Sequence, residues 1–381
     1  MRKFFFIENI VTSGNGRWFK NADVVTNILI LKKKQESQIN NCNSDEYICF
    51  TTLKKSIDAL NVDENITTIR RNISCDNDTV RKVIYNTTQI EELEGLGIQW
   101  SALFTDLSWI SQIASKLMQA SELFDINRGE RRGWDPLFYP NESNNIEQIF
   151  LKPVLKTASS ISKLIAESDG EAFCCELSLD ELNNNYQGAH SWVNRFLTQV
   201  NGVGRPLTEV LAKSNMHWYE MNNSTTANLV TSMNPDERLF IAKFNEPTFV
   251  NQRLIRFTQT DNTQDLNLLH ALLNSILGMF YIEAIGFGRG ESVLDLSATK
   301  LRKSLWLLNP NLLSEIQKSL ILKKFQPLLN RDIKNIIEEL NSPDREDFDN
   351  AICEAYDILR YKDQIKEALL NLYQIRKSAK I

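Results

Sequence analysis

The sequence has few of the residues that build metal, disulfide and nucleophilic sites. Its 381 residues include six cysteines and three histidines. The adjacent pair Cys174-Cys175 has no second pair at zinc-ligand spacing, no CxxC is present, and His190, His217 and His270 are far apart. This pattern argues against a zinc cluster, a disulfide framework and a histidine-based triad. We expect reduced, partly buried thiols, which are typical of a cytoplasmic protein.

Long apolar runs are also scarce. The segment Phe4-Phe5-Phe6 follows two basic residues, as in a secretory signal, but the run stops at Glu8 and is too short to be one. Residues 266–285 are long and apolar enough to suggest a membrane span, yet several polar residues interrupt them. We therefore predict a buried core helix there and no membrane partner.

The chain has no excess of positive charge. It carries 43 Lys+Arg against 48 Asp+Glu, a net charge of −5. Its length suggests two or three domains, and the 42% share of hydrophobic residues is enough to give them hydrophobic cores. Contact with nucleic acid must therefore use a local basic surface. GxSxG, HExxH and Walker A motifs are absent. The glycine-rich segment Gly286–Gly290 follows a predicted helix, whereas a cofactor loop follows a strand.

The apolar pattern predicts an α/β (α+β) fold. Residues 24–31 are nearly all β-formers without alternation, which is typical of a strand buried on both faces. Such a strand needs neighbours that the first 35 residues do not supply, so this segment is interpreted as the tail of a larger α/β sheet. Further strands are predicted at Tyr47–Leu53 and Val80–Tyr85. A helix is predicted at Leu107–Leu117.

The last 70 residues are predicted to be helical. Apolar residues recur at helical spacing between Ile321 and Leu340, where Pro327 should kink or split the helix. A second helical pattern follows the break at 341–343, and the acidic residues at 344–347 suit its first turn. No internal repeat is present.

The arginine-rich segment 123–140 is the clearest candidate for a functional site in the sequence. A predicted strand leads into a loop that combines three arginines with two glycines and a tryptophan, and an aromatic run follows. The planar arginine fork can bind a guanine edge or a phosphate, and glycines let the main chain approach closely. The alternative is a solvated turn in which Glu130 and Asp135 neutralise two arginines. The candidate DNA contacts in this loop are Arg128, Arg131, Arg132 and, as packing support, Trp134.

Two further basic groups are candidates for DNA contact. Arg253 and Arg256 are three residues apart, which places them on opposite faces of a predicted strand, so that at most one serves a given surface. The other group follows the glycine-rich segment. It consists of Arg289, Lys300, Arg302 and Lys303.

Several blocks resemble adenine-specific N6 DNA methyltransferases, especially single-chain type II restriction–modification enzymes. The string Gly-Arg-Trp-Phe-Lys-Asn-Ala-Asp-Val-Val-Thr-Asn-Ile-Leu-Ile-Leu within Thr12–Lys32 is similar to the segment beyond their catalytic motif. Other blocks, in the family's order, resemble the start of the target-recognition domain, its central helix and loop, and the helical tail. These blocks are 123–139, 146–156, 269–275, 288–291, 293–301 and 344–349.

The resemblance implies three parts: a remnant of the methyltransferase sheet with a connector (1–118), a target-recognition domain (119–310) and a helical region (311–381). The family's FxGxG cofactor loop and NPPY/F clamp are absent from this sequence. No residue here therefore inherits a catalytic or cofactor role. S-adenosylmethionine is implied only for the complete enzyme, whose methyltransferase part is expected in a preceding segment or a separate chain.

Two functions remain open from the sequence. The first is recognition of double-stranded DNA on behalf of an adenine-N6 methyltransferase. The second is a degenerate or non-catalytic remnant that binds protein and regulates a methyltransferase.

Overall fold

The computed structural model describes residues 3–19, 26–35, 46–56, 59, 62–141, 143–221, 225–288 and 292–378. They form a mixed α+β fold, as predicted. The strands are β1 (Phe5–Ser13), β2 (Asn27–Lys33), β3 (Tyr47–Leu53), β4 (Cys75–Asp76), β5 (Val80–Asn86), β6 (Leu117–Gln119), β7 (Phe124–Arg128), β8 (Leu151–Leu155), β9 (Ile165–Ala166), β10 (Gly170–Phe173), β11 (Ala227–Ser232), β12 (Ala242–Val250), β13 (Leu254–Gln259), β14 (Phe287–Gly288), β15 (Leu294–Asp295) and β16 (Trp306–Leu308).

Helices surround and connect these strands, and most of the longer ones lie in the second half of the chain. They are α1 (Val62–Arg70), α2 (Thr87–Gly95), α3 (Ser108–Ile113), α4 (Asp135–Phe138), α5 (Leu179–Asn185), α6 (Gln187–Asn194), α7 (Leu207–Val210), α8 (Leu266–Leu273), α9 (Ile276–Ile285), α10 (Ala298–Ser304), α11 (Glu315–Asn330), α12 (Ile336–Leu340), α13 (Pro343–Ala355) and α14 (Lys362–Lys377).

The N-terminal sheet has the strand order β2-β1-β3-β5-β4. β1 pairs antiparallel with β2 and parallel with β3, so its inner residues are buried. The strands predicted at 47–53 and 80–85 are confirmed as β3 and β5. The predicted helix at 107–117 is shorter, because α3 gives way to a 3-10 turn and then to β6.

β2 corrects one prediction. Residues 24 and 25 of the predicted run 24–31 lie outside the described residues. The strand that holds most of its remainder, β2, is exposed along its whole length instead of being buried on both faces. Ile28 and Leu29 are 50% and 45% exposed. The reason is position: β2 is the outermost strand of its sheet, and no other described strand pairs with its free edge.

The second sheet positions the candidate site. Its order is β10-β8-β12-β11-β13-β7, with β9 beside β12. β7 is the edge strand and pairs antiparallel with β13. One core contains residues from Ile7 to Tyr373, and a smaller one packs between Leu137 and Phe249. The larger core draws residues from all three ranges proposed above, and the division of the chain into those ranges stays a prediction.

The apolar stretch 266–285 forms two buried helices, α8 and α9, which meet at Asn274 and Ser275. Among the described residues no single helix is long and apolar enough to cross a membrane. α8 and α9 satisfy length and composition only as a pair bent by 63°. The imidazole of His270 contacts the carbonyl oxygen of Ile241 at 2.9 Å, and complete burial lowers its pKa to about 3. This histidine is a neutral core residue.

The helical C-terminal region matches its prediction, and of the two effects expected at Pro327, a kink or a split, the split does not occur. α11 continues through this proline to Asn330 and breaks only afterwards, before α12 begins. The end of α11 is tied to the following helices by a buried ion cluster. The carboxylate of Glu339 accepts hydrogen bonds from Arg331 at 2.8 and 2.9 Å and from Arg345 at 2.7 and 2.9 Å.

The ion cluster is buried yet well compensated. Glu339 and Arg345 are each only 4% exposed. Burial alone raises the pKa of Glu339, but the two guanidinium groups hold that pKa below its usual value. Arg345 also donates to the carbonyl oxygen of Asn274 at 2.5 Å, which links the cluster to the junction of α8 and α9.

We expect Glu339→Ala to lower the free energy of unfolding by about 3–5 kcal/mol, because it leaves the buried guanidinium group of Arg345 without its closest carboxylate. The half-buried Arg331 keeps its ion pair with Asp344. Glu338→Ala, at the exposed neighbouring position, is the control and should change stability by less than about 0.5 kcal/mol. Urea unfolding followed by circular dichroism measures both. The pKa of Glu339 is depressed in the folded state. The difference in free energy of unfolding between the wild type and Glu339→Ala should therefore shrink as the pH falls below about 4. Equal losses in the two variants would refute this account.

Candidate nucleic-acid interface

The arginine loop starts where β7 ends and lies against the turn between β12 and β13. Nε of Arg128 donates to the carbonyl oxygen of Gln252. The main-chain N–H of Glu130 donates to Val250 at 2.9 Å. Gly129 permits this approach, since a Cβ atom there would lie 2.2 Å from the carbonyl oxygen of Asn251. The loop is therefore anchored to the turn, which is not the solvated arrangement of the alternative interpretation.

Arg132 is buried, unlike the other arginines of the loop, which disfavours a DNA contact at its position. The residue is 6% exposed, and its Nη2 donates to the carbonyl oxygens of Leu211, His217 and Trp218 at 3.0–3.4 Å. Its guanidinium carbon lies 5.2 Å from the ring centroid of Phe138. Burial lowers the pKa of this guanidinium. Arg132 holds the loop against the smaller core and does not face solvent.

Arg131 and Trp134, the other predicted residues next to Arg132, differ from it in exposure. Arg131 is exposed, and no acidic side chain in the described part of the chain pairs with it. Trp134 is half-buried and packs against the smaller core. Arg128 is exposed as well.

Arg253 and Arg256 occupy different environments. Arg253 is exposed in the turn that precedes β13, and its main-chain N–H donates to Oδ1 of Asn251 at 3.1 Å. Arg256 lies within β13 and is half-buried. Its Nη1 donates to Oγ1 of Thr258 at 2.7 Å, and its Nη2 lies 3.5 Å from a carboxylate oxygen of Asp125. Arg253 is therefore the more available of the two for an external ligand.

The third basic group lies on α10, which packs beside β7. Arg302 donates through Nε and Nη2 to the carbonyl oxygen of Ile126 at 3.0 and 2.7 Å, so its fork is occupied by the edge of the sheet. Lys300 is half-buried and Lys303 is exposed. Arg289 lies outside the described residues.

A cleft opens beside the arginine loop and the β12–β13 turn. Its volume is about 370 Å³. We call it the cationic cleft because it contains two basic side chains, Lys156 and Arg253. Its lining consists of Asp135, Pro136, Tyr139, Lys156, Thr157, Asn251 and Arg253.

The floor of the cationic cleft is built around Asn251, which is 5% exposed. Its side chain hydrogen-bonds Tyr139 and accepts from the main-chain N–H of Arg253. Burial, followed by the nearby charge of Asp135, raises the pKa of Tyr139 to about 12. Tyr139 is therefore a neutral hydroxyl group at physiological pH.

The two cations of the cleft are not neutralised within the described residues. No carboxylate there lies within ion-pair distance of the ammonium group of Lys156 or the guanidinium group of Arg253. Two unpaired cations at one concave surface favour an anionic ligand such as a phosphodiester. Sequence reasoning had singled out Arg253 but had missed Lys156. Its only signal is its position directly after an apolar strand.

The described residues contain no group of three or more His, Cys, Asp or Glu side chains that could hold a metal ion. The thiols of Cys174 and Cys175 are buried, which raises the pKa of both, to about 12 and about 11. Neither is poised as a nucleophile.

We expect Arg132→Ala to destabilise the protein by about 1–3 kcal/mol, because it leaves buried carbonyl oxygens without a donor. Arg131→Ala is the matched control, since the adjacent arginine is exposed, and should change stability by less than about 0.5 kcal/mol. Chemical denaturation followed by tryptophan fluorescence compares them. If Arg132→Ala is as stable as Arg131→Ala, the buried role of Arg132 is wrong.

No protein-family model matches the chain, and no curated protein is significantly similar to it in sequence. Solved structures do share its fold. The chain superposes on a type IIG restriction endonuclease, BpuSI, with a TM-score of 0.53 over 98% of its own length, at 12% sequence identity. It spans 44% of the length of that enzyme. At this identity the similarity concerns the fold alone.

Proposed function

We propose that this chain binds double-stranded DNA through the cationic cleft and the adjoining arginine loop, as part of a restriction–modification enzyme. The observation that carries the proposal is the unpaired pair Lys156 and Arg253 at one concave surface. Arg128 and Arg131 are exposed on the loop beside it. The fold shared with a type IIG restriction endonuclease supports this assignment. The protein's net charge of −5 makes a local basic surface necessary for the purpose.

The cations that are not engaged within the fold divide into two roles. Lys156 and Arg253 are placed to hold phosphates, which set the register of the protein on the duplex. Arg131 is the best candidate for a base edge, because its side chain is exposed and free of an ion pair in the described structure. Lys303 extends the basic surface on α10. Arg256 and Arg302 act as supports, since their guanidinium groups are engaged within the fold.

The finer assignment follows from the sequence resemblance. We propose that the bound DNA is presented to an adenine-N6 methyltransferase that uses S-adenosylmethionine. The cofactor loop and the NPPY/F clamp are absent from this sequence. The chemistry therefore belongs to a separate part, and this chain contributes recognition.

The edge of β2 with which no other described strand pairs is the proposed docking site for that catalytic part. Four consecutive aliphatic side chains, Ile28 to Leu31, are 36–50% exposed on this strand. An unpaired apolar edge attracts another strand, and covering it continues the sheet. The same observation supports the second candidate function, a non-catalytic protein-binding partner. The two candidates differ in whether the cationic cleft binds DNA.

We expect Lys156→Ala and Arg253→Ala each to weaken binding to duplexes of any sequence, because each removes a phosphate contact. The salt dependence of log K should flatten by about 0.9 per contact removed. Lys323→Ala is the control, since this lysine is exposed on α11 and does not line the cleft. Fluorescence anisotropy with a labelled duplex at several salt concentrations provides the measurement. The variant that combines Lys156→Ala with Arg253→Ala is the decisive case. If its affinity for DNA and its slope of log K against log salt concentration equal those of the wild type, the cleft is excluded as the DNA site and the protein-binding function is favoured.

The purified chain should transfer no methyl group to DNA. Its sequence lacks both motifs that bind the cofactor and the target adenine in the family it resembles. Incubation with tritiated S-adenosylmethionine and duplex DNA, followed by counting of the recovered DNA, tests this expectation. If the purified chain alone incorporates label into adenine, the chain itself carries out methyl transfer, and this expectation is wrong.

A further inference from the structure

The cationic cleft carries more than positive charge. Asp135 is exposed on the same lining as Lys156 and Arg253, yet it forms no ion pair with either of them. A carboxylate repels a phosphate, so a cleft that serves only the DNA backbone has no use for it. A carboxylate is an acceptor for an exocyclic amino group of a base. The lining therefore suits a ligand that has an anionic end and an amino-bearing end.

The cleft also offers a surface for an aromatic ring. Tyr139 is half-buried and neutral, and Pro136 is exposed beside it on the lining. Bases stack on aromatic side chains wherever they are taken out of the duplex stack. The volume of about 370 Å³ lies within the range of pockets that hold small ligands, about 300–1,000 Å³.

The framework of the cleft is held in place by hydrogen bonds of Asn251, of Tyr139 and of the main chain beneath the charged side chains. The buried amide of Asn251 contacts both Tyr139 and the main chain of Arg253. The main-chain N–H of Lys156 donates to Oδ1 of Asp169 at 2.7 Å, which fixes the end of β8. Cleft residues from three separate segments are thereby held at set positions.

We infer that the cationic cleft accommodates one unstacked nucleotide whose base carries an exocyclic amino group. Lys156 and Arg253 bind its phosphate, Tyr139 and Pro136 contact the base, and the carboxylate of Asp135 accepts from the amino group. The inference rests on the proposed DNA binding and deepens it. It assigns a nucleotide-binding role to Asp135 and Tyr139, which the functional candidates from the sequence did not include.

The test uses three labelled DNA duplexes that differ at one place: fully paired, with a single bulged cytosine, and with a single bulged thymine. A bulged base is already unpaired, so it enters a pocket without the free-energy cost of opening a base pair. The wild-type chain should bind the cytosine bulge about tenfold more tightly than the paired duplex. The thymine bulge, which lacks an amino group, should gain less.

Asp135→Asn retains the size of the side chain and replaces an obligate acceptor by an amide. The amide can accept from the amino group of cytosine or donate to O4 of thymine, so the variant should lose the preference for cytosine over thymine. Because it removes a carboxylate from the lining of a phosphate-binding cleft, it should bind all three duplexes somewhat more tightly than the wild type does. Asp180→Asn, an exposed position on α5, is the matched control and should behave as wild type. Thermal unfolding of both variants checks that each is folded.

The outcomes separate the inference from the function on which it rests. If the wild type binds none of the three duplexes, the proposed DNA binding itself is wrong. If it binds the paired duplex but gains nothing from either bulge, DNA binding stands and the nucleotide pocket is refuted. A cytosine preference that persists in Asp135→Asn also refutes the assigned role of this carboxylate.

Discussion

The candidate interface depends on the close approach of the arginine loop to the β12–β13 turn at Gly129 and Asn251. Without a side chain at Gly129, the loop main chain passes directly over the carbonyl oxygen of Asn251. The amide of Asn251, buried below, orients Tyr139 and the main chain of Arg253. A single asparagine thus connects the loop, the turn and the cleft. The main-chain position of Arg253 follows from this junction.

Much of the fold was predictable because burial leaves a periodic trace in the sequence. β3 and β5 lie where their runs of β-formers predict them, and the C-terminal helices follow their apolar spacing. β2 was misjudged because its composition is that of a buried strand while its place in the sheet is an edge. Composition reports what a strand can tolerate. The place of the strand in the sheet and the layers packed on its faces decide whether its side chains are covered.

The candidate site was predictable in part, and its limits have a physical cause. An arginine reads the same in sequence whether its guanidinium group faces solvent, as at Arg131, or lies under a loop, as at Arg132. Lys156 was missed because it reaches the cleft from β8, about a hundred residues before Arg253 in the sequence. The spacing of residues along the chain does not show that two residues so far apart in sequence lie close together in the fold. The sequence pointed to arginines in this part of the fold, but it did not show which of their side chains are exposed.

The span of the larger core has a consequence for the timing of folding. Its members run from Ile7 to Tyr373, and the side chain of Asn371 near the end of the chain donates to Oγ1 of Thr105 at 3.0 Å. A ribosome adds about 5–20 residues per second, so an early strand waits about 20–75 seconds for its last helical partner. During that interval the N-terminal sheet lacks part of its cover. Contacts so distant in sequence also slow folding after release. Apolar side chains that wait for distant partners are open to non-native contacts during that interval.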